Sequence, residues 1–259
     1  MNIQRDIFLK VLFGFVFYFL DIYTFNINFV AYELRKIDKD LLNYVINNDY
    51  DKVEECLRLG ANVDVKDIYF RSPLILAASN YDEKMVNILL KYNADINIPN
   101  LLLETPLIIA CNSGIENLAH LLLDNGADPH LYDSLKRNAL FYACRSNMIS
   151  VVSRLLKDFK MDINKKDIFN EYLIVALMAP QFIDLLDLLF DYGANPNICD
   201  IYNNSLLMLS LKYDKSLRLY DLLISKGANN LDVKNYDGEN IFDIAKRYNI
   251  KDILNHISN

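Results

Sequence analysis

The sequence predicts an all-α solenoid, a stack of helix–turn–helix units of about 33 residues joined by β-hairpin loops. Three recurrences lead there. Gly-Ala doublets fall at Gly60-Ala61, Gly126-Ala127, Gly193-Ala194 and Gly227-Ala228, at intervals of 66, 67 and 34 residues, and Asn93-Ala94 fills the middle of the first interval. Asn is the residue next best to Gly at a left-handed helix terminator, so the backbone requirement is kept. An apolar pair sits three residues before the terminator, as in Leu89-Leu90, Leu122-Leu123, Leu189-Phe190 and Leu223-Ile224. An Asp or Asn opens a turn in each period, at Asp67, Asn100, Asp133, Asp167, Asp200 and Asn235.

Taken in chain order, residues 1–33 stand apart as a hydrophobic N-terminal segment. Arg5 and Lys10 precede the apolar run Val11 to Leu20, Asp21 interrupts it, and Ile22 to Ala31 resumes more weakly. Ten apolar residues reach about 15 Å as a helix, half of a bilayer core. Asp21 would cost about 2.5–3.5 kcal/mol at the centre of a longer span. The basic start and short apolar run suit a secretory signal, although Phe29 is bulky for the position two residues before a cleavage at Ala31. The alternative is a hydrophobic helix packed on the first unit. Export or membrane association is the preferred expectation over a cytoplasmic location, with membrane contact confined to residues 1–31.

The remaining chain divides into about seven units, at 34–66, 67–99, 100–132, 133–166, 167–199, 200–234 and 235–257. In the best of them a capped helix begins five residues after the turn residue, at Ser72-Pro73-Leu74 and Thr105-Pro106-Leu107. The hydroxyl accepts from free helix N–H groups, and Pro takes the first helical position, where it loses no bond. Small residues follow at Ala77-Ala78, Ala110-Cys111 and Ala143-Cys144, allowing close helix approach.

These residues resemble the ankyrin repeat, with its D-x-x-G-x-T-P-L-H-x-A-A opening and L-L-x-x-G-A-D-x-N close. Thr105, Pro106, Leu107, Ala110, Gly114, Leu122, Leu123, Gly126, Ala127 and Asp128 stand in register. The Asn-, Ile-, Lys- and Tyr-rich composition is similar to that of bacterial members. The resemblance implies an ankyrin-repeat solenoid and a protein-binding scaffold or inhibitor that uses a concave surface of hairpin tips and first helices. The motif histidine is replaced by Ile75, Ile108, Phe141, Val175, Met208 and Asp243, so mostly apolar packing must substitute for its hydrogen bonds. The turn glycine survives only as Gly238. Asn170 and Asn203 are tolerable there, but Phe70, Leu103 and Lys136 must either change the turn type or carry strain. The units beginning at Asp167 and Asp200 lack Thr-Pro-Leu and are expected to be softer.

Apolar residues recur at the tips, and stacking would align them into one stripe. The expected partner-binding residues are Ile68, Tyr69, Arg71, Leu101, Leu102, Glu104, Leu135, Arg137, Arg145, Ile168, Phe169, Ile201, Tyr202, Tyr213 and Tyr236. Aromatics dominate binding hot spots, and exposed apolar patches mark interaction sites. The alternative is that each tip packs on the next and exposes only its edges.

Other classes find little support. The net charge is −7 with Lys and Arg dispersed, so no nucleic-acid partner is expected. Four cysteines without a C-x-x-C pair and three histidines build no zinc site, and Cys111 and Cys144 are expected to stay reduced. No cofactor is implied. With no G-x-S-x-G or H-E-x-x-H motif, His120, His130 and His256 read as structural or solvated, and the acidic pair Asp184 and Asp187 as a solvated helix face. The chain is expected to be a non-catalytic monomer.

Overall fold

The computed structural model describes residues 34–250 and Ile253, so the expectations for the N-terminal segment and for His256 lie outside the described residues. Within these bounds the chain forms two compact bodies, one ending at Leu101 and the other beginning at Leu102.

The N-terminal body holds α1 (Lys36–Ile46), α2 (Tyr50–Arg58), α3 (Pro73–Ser79) and α4 (Glu83–Lys91). Helices pair in sequence, α1 on α2 and α3 on α4, and the pairs stack with α1 on α3 and α2 on α4. Leu41, Val45, Val53, Leu74, Ala78, Met85 and Leu89 are sealed between them. Each large side chain so buried contributes about 1.5–3 kcal/mol of transfer free energy. Ser72 accepts from the Ile75 N–H at 3.2 Å, and Pro73 occupies the first helical turn as the sequence indicates.

The C-terminal body continues with α5 (Pro106–Asn112), α6 (Glu116–Asp124), α7 (Ala139–Arg145), α8 (Ile149–Phe159), α9 (Leu173–Ala176), α10 (Ile183–Asp191), α11 (Leu206–Tyr213), α12 (Arg218–Ser225) and α13 (Ile241–Arg247). First helices stack as α5 on α7 and α11 on α13, and second helices as α6 on α8 and α10 on α12. The cap chemistry varies while the geometry is kept. Thr105, Asn138 and Ser205 accept from Ile108, Phe141 and Met208, and Asn240 forms a capping box with Asp243. Gly126, Gly193 and Gly227 close the second helices with φ of 88–91°. In the unit with one extra residue, Lys160 takes that place at φ 50°.

The unit expected to be soft from Asp167 onward has the shortest first helix. Tyr172 offers no side-chain cap, and α9 runs for only 4 residues. Pro180 then stops any continuation, because Ala179 before it is extended (φ −147°, ψ 148°) and the chain passes through a 3₁₀ turn, Pro180–Phe182. At the former histidine positions Ile75, Ile108 and Met208 are buried, whereas Phe141, Val175 and Asp243 are only half-buried.

The expected β-hairpin loops are tight turns among the described residues. Only isolated bridges form, between Lys166 and Tyr172 and between Cys199 and Ser205. The turns opened by Asp67, Asp133, Asp167, Asp200 and Asn235 are closed by two backbone bonds, from the opening N–H to the carbonyl four residues on and from the N–H three residues on back to the opening carbonyl, too short a pairing to register as strands.

Candidate partner-binding surface

Five of these turns are built by their opening residue. The Oδ1 of Asp67 accepts from the N–H groups of Tyr69 and Arg71, both at 2.8 Å. The same two bonds recur at Asp133, Asp167, Asp200 and Asn235. In these five turns the clamp holds the fourth residue in the left-handed region, at Phe70, Lys136, Asn170, Asn203 and Gly238, and Leu103 in the turn opened by Asn100 takes the same conformation, all with φ between 57° and 80°. The turn type is therefore kept at Phe70, Leu103 and Lys136, and these three carry strain.

The second carboxylate oxygen is then available for a different partner in each turn. Asp67 Oδ2 binds the Arg71 guanidinium at 2.7 Å, and Asp200 Oδ2 accepts from the Asn204 amide at 2.9 Å. Asp133 Oδ2 accepts from the Tyr142 hydroxyl at 2.5 Å. Burial, then the Asp133 carboxylate, push the Tyr142 phenol well above its usual range. Asp167 Oδ2 receives Arg137 from the preceding turn at 2.6 Å, in an ion pair whose side chains are 16% and 2% exposed. In the C-terminal body the turns are also stitched by backbone bonds, from Ser134 N–H to Leu102, Ile168 N–H to Leu135 and Tyr236 N–H to Tyr202.

The side chains between these bonds point outward. In the N-terminal body Ile68 and Tyr69 are exposed, with Arg71 lying 5.0 Å over the Tyr69 ring, while Leu101 is half-buried. In the C-terminal body Leu102, Ile168, Phe169, Ile201, Tyr202 and Tyr236 are 38–76% exposed, and Leu135 is half-buried. Arg137 serves the framework more than the rim. Its guanidinium sits 4.5 Å from the Phe141 ring and 5.7 Å from Phe169 while it holds Asp167. Arg145 approaches the Phe141 ring at 6.0 Å, and Tyr213 is half exposed with Lys212 at 5.1 Å. Glu104 and Glu171 are partly covered. Burial, with Asp167 and Asp200 nearby, raises the Glu171 carboxyl above its ordinary value.

Three features escaped sequence reasoning. Tyr142 reads as a helix aromatic, but its hydroxyl is a turn ligand. Leu103 is as exposed as the predicted tip Leu102. Along the loops that follow second helices, Asn164 and Asn197 use both ends of their amides on the next loop. Each accepts from a backbone N–H (Asn195, Asn229) and donates to a glycine carbonyl (Gly193, Gly227). The recurring Asn four residues after the terminator was the available signal.

His120 lies between α6 and α8 in a polar clasp. Arg154 Nη1 faces its Nδ1 at 3.3 Å, and Ser150 Oγ lies 3.1 Å from its Nε2. Because the guanidinium can only donate, Nδ1 is the acceptor and Nε2 carries the proton. The Ser150 hydroxyl then donates to Glu116 at 2.6 Å, so His120 is not positioned to take its proton. His130 is exposed, its N–H bonded to Asp128. Asp187 joins Asp191 around the Lys226 ammonium. Among the described residues no His, Cys, Asp and Glu group is arranged for a metal ion, and no helix is long and apolar enough to cross a membrane.

The paired helices, clamped turns and outward tips define a helical repeat scaffold. Residues 41–133 and 104–167 match the family model described as ankyrin repeats (3 copies). The chain belongs to the ankyrin-repeat proteins. Among solved structures it is similar to the ankyrin repeat domain of Bcl-3, at 21% identity and a TM-score of 0.65 over 79% of this chain and 92% of that one. The human ASB11 ankyrin repeat domain is similar at 21% identity and a TM-score of 0.63, covering 79% of this chain and 90% of that one. No curated protein sequence matches the chain. Ankyrin repeat domains are generally protein–protein interaction modules.

Proposed function

We propose that the chain is a non-catalytic scaffold or inhibitor that binds a protein partner through its turn tips and first-helix surface. The observation that carries this reading is the recurrence of exposed apolar or aromatic side chains at the two positions that follow the turn-opening residue. They are Ile68 and Tyr69 in the N-terminal body, and Leu102, Ile168, Phe169, Ile201, Tyr202 and Tyr236 in the C-terminal body. A surface with no partner has no physical reason to repeat that exposure, since apolar area left in water forgoes about 25 cal/mol per Å². The turns themselves are held by Asp and Asn side chains and do not need the aromatics to form. A partner interface of standard size would bury about 1,200–2,000 Å² in total. On this reading the repeats run from 34–66 through 235–257, each contributing one turn or first helix to recognition.

The test is the double variant Tyr69→Ala/Phe169→Ala. It is expected to abolish capture of the partner in a pull-down while shifting the melting temperature by only a few degrees. Unchanged partner affinity in the variant would refute the role of the tips.

A further inference from the structure

Three of the first helices in the C-terminal body, α7, α11 and α13, carry cations and no exposed carboxylate in their last turns. Arg145 ends α7, Lys212 lies in the last turn of α11, and Lys246 and Arg247 end α13. Arg145, Lys212 and Arg247 share one register, twelve residues after Asp133, Asp200 and Asn235 respectively. The nearby carboxylates are engaged elsewhere. Asp214 is buried and accepts from the N–H groups of Ser216 and Leu219, and Asp243 closes the capping box on Asn240. Among the described residues Arg145, Lys212 and Lys246 make no ion pair; Arg145 and Lys212 rest instead on aromatic rings. This row stands out against a chain whose net charge is −7.

Between α11 and α13 the row borders a cleft. Lys212 and Arg247 line it together with Met208, Tyr248 and the turn amides Asn204 and Asn235, around a volume of about 140 Å³. That is room for about four or five waters at roughly 30 Å³ each, the scale of one carboxylate side chain. Asp237 is the acidic residue on its lining, and Arg247 also reaches Glu239, so Lys212 is the unshared cation.

We infer that the partner presents an acidic segment, a stretch of chain bearing Asp or Glu, to this row. One carboxylate sits in the Lys212–Arg247 cleft and another meets Arg145 two repeats away. The inference rests on the tips and first helices being the recognition face. A protein segment fits better than a nucleic acid. Polyphosphate needs one cation per phosphate neutralised, and Glu171, Asp237 and Glu239 in the adjoining turns would repel an unbroken line of phosphates. A chain with spaced carboxylates and apolar residues can instead meet the cations and the tip aromatics together. Attraction of this kind acts chiefly on encounter, so association slows as salt is raised.

The experiment is selection of a random peptide display library against the immobilised full chain, followed by affinity measurement of the enriched peptides. Net-negative sequences are expected, weakened at least 10-fold by Arg145→Glu/Lys212→Glu and less than 2-fold by Lys157→Glu/Lys160→Glu, which makes the same charge change on the second-helix side. Far-UV circular dichroism confirms that each variant is folded. A neutral or basic consensus whose binding is lost in Tyr69→Ala/Phe169→Ala would overturn the acidic partner and leave the recognition face standing. Peptides indifferent to the tip changes would overturn the face and this inference with it. A single-stranded DNA 15-mer that binds more tightly than the selected peptides would also overturn it.

Discussion

Replacing Lys136 by Gly should stabilise the protein. Lys136 has φ 57° in a turn whose Asp133 clamp permits nothing else. A non-glycine residue pays about 1–2 kcal/mol for that region, where its Cβ crowds the carbonyl oxygen. Gly removes this strain but makes the unfolded chain more flexible, which returns about 0.4–1 kcal/mol. The side chain is exposed and bridges nothing among the described residues, so little packing is lost. The net expectation is a gain of about 0.5–1 kcal/mol, or about 1–4 °C in Tm for a chain of this size. Urea unfolding followed by circular dichroism, alongside thermal melts, measures it. Two controls isolate the backbone. Lys136→Ala removes the side chain but keeps the strain and should be near neutral. Asn170→Gly begins from a residue that tolerates φ 63° and should gain far less. A Lys136→Gly protein less stable than the parent, or one matched by Asn170→Gly, would refute the strain argument. Phe70→Gly is a poorer probe, because the half-buried ring is lost as well.

Other perturbations test different parts of the framework. Tyr142→Phe removes the hydroxyl that meets Asp133 and should cost about 1.5–3 kcal/mol, the range for a hydrogen bond to a charged group; a urea-derived loss below about 0.5 kcal/mol would contradict it. Burial pushes the Cys111 thiol up to about 12 and the Cys144 thiol higher still, so both should resist Ellman's reagent at pH 8 while half-buried Cys199 reacts first. A Cys111–Cys144 disulfide in the native protein would count against this. Burial raises the Asp214 carboxyl, but bonds from Ser216 and Leu219 outweigh it and hold the group below its ordinary value. Its stabilisation is therefore present above the unfolded pKa of about 3.9 and lost as pH falls through the lower folded value. The stability gap between the parent and Asp214→Asn should be widest near pH 7 and close below about pH 4; a gap that grows on acidification would reverse the sign.

What the sequence made legible divides along the line between local necessity and stacking. The helix terminators could be read from Gly60, Asn93, Gly126, Gly193 and Gly227, because a left-handed residue at a helix end leaves few choices. The caps at Ser72 and Thr105 were legible for the same reason, and so was the weakness of the helix after Asp167, with neither cap nor Thr-Pro-Leu. Phe70, Leu103 and Lys136 were ambiguous because local preference opposes their conformation. What decides there is a side chain three residues earlier at Asp67 and Asp133, whose Oδ1 takes two backbone N–H groups and overrides the preference of the residue between them. Arg137 looked like a rim charge because its partner, Asp167, lies 30 residues on and is reached only when successive turns are stacked. Asp167 thus does two things at once: one oxygen shapes the turn that displays Phe169, and the other anchors the turn before it. Tip display and cohesion meet in that residue. On the proposed function, partner specificity can drift through Ile168, Phe169 or Tyr202, which the clamp does not require, whereas a change at Asp167 would disturb two tips and strand a largely buried Arg137.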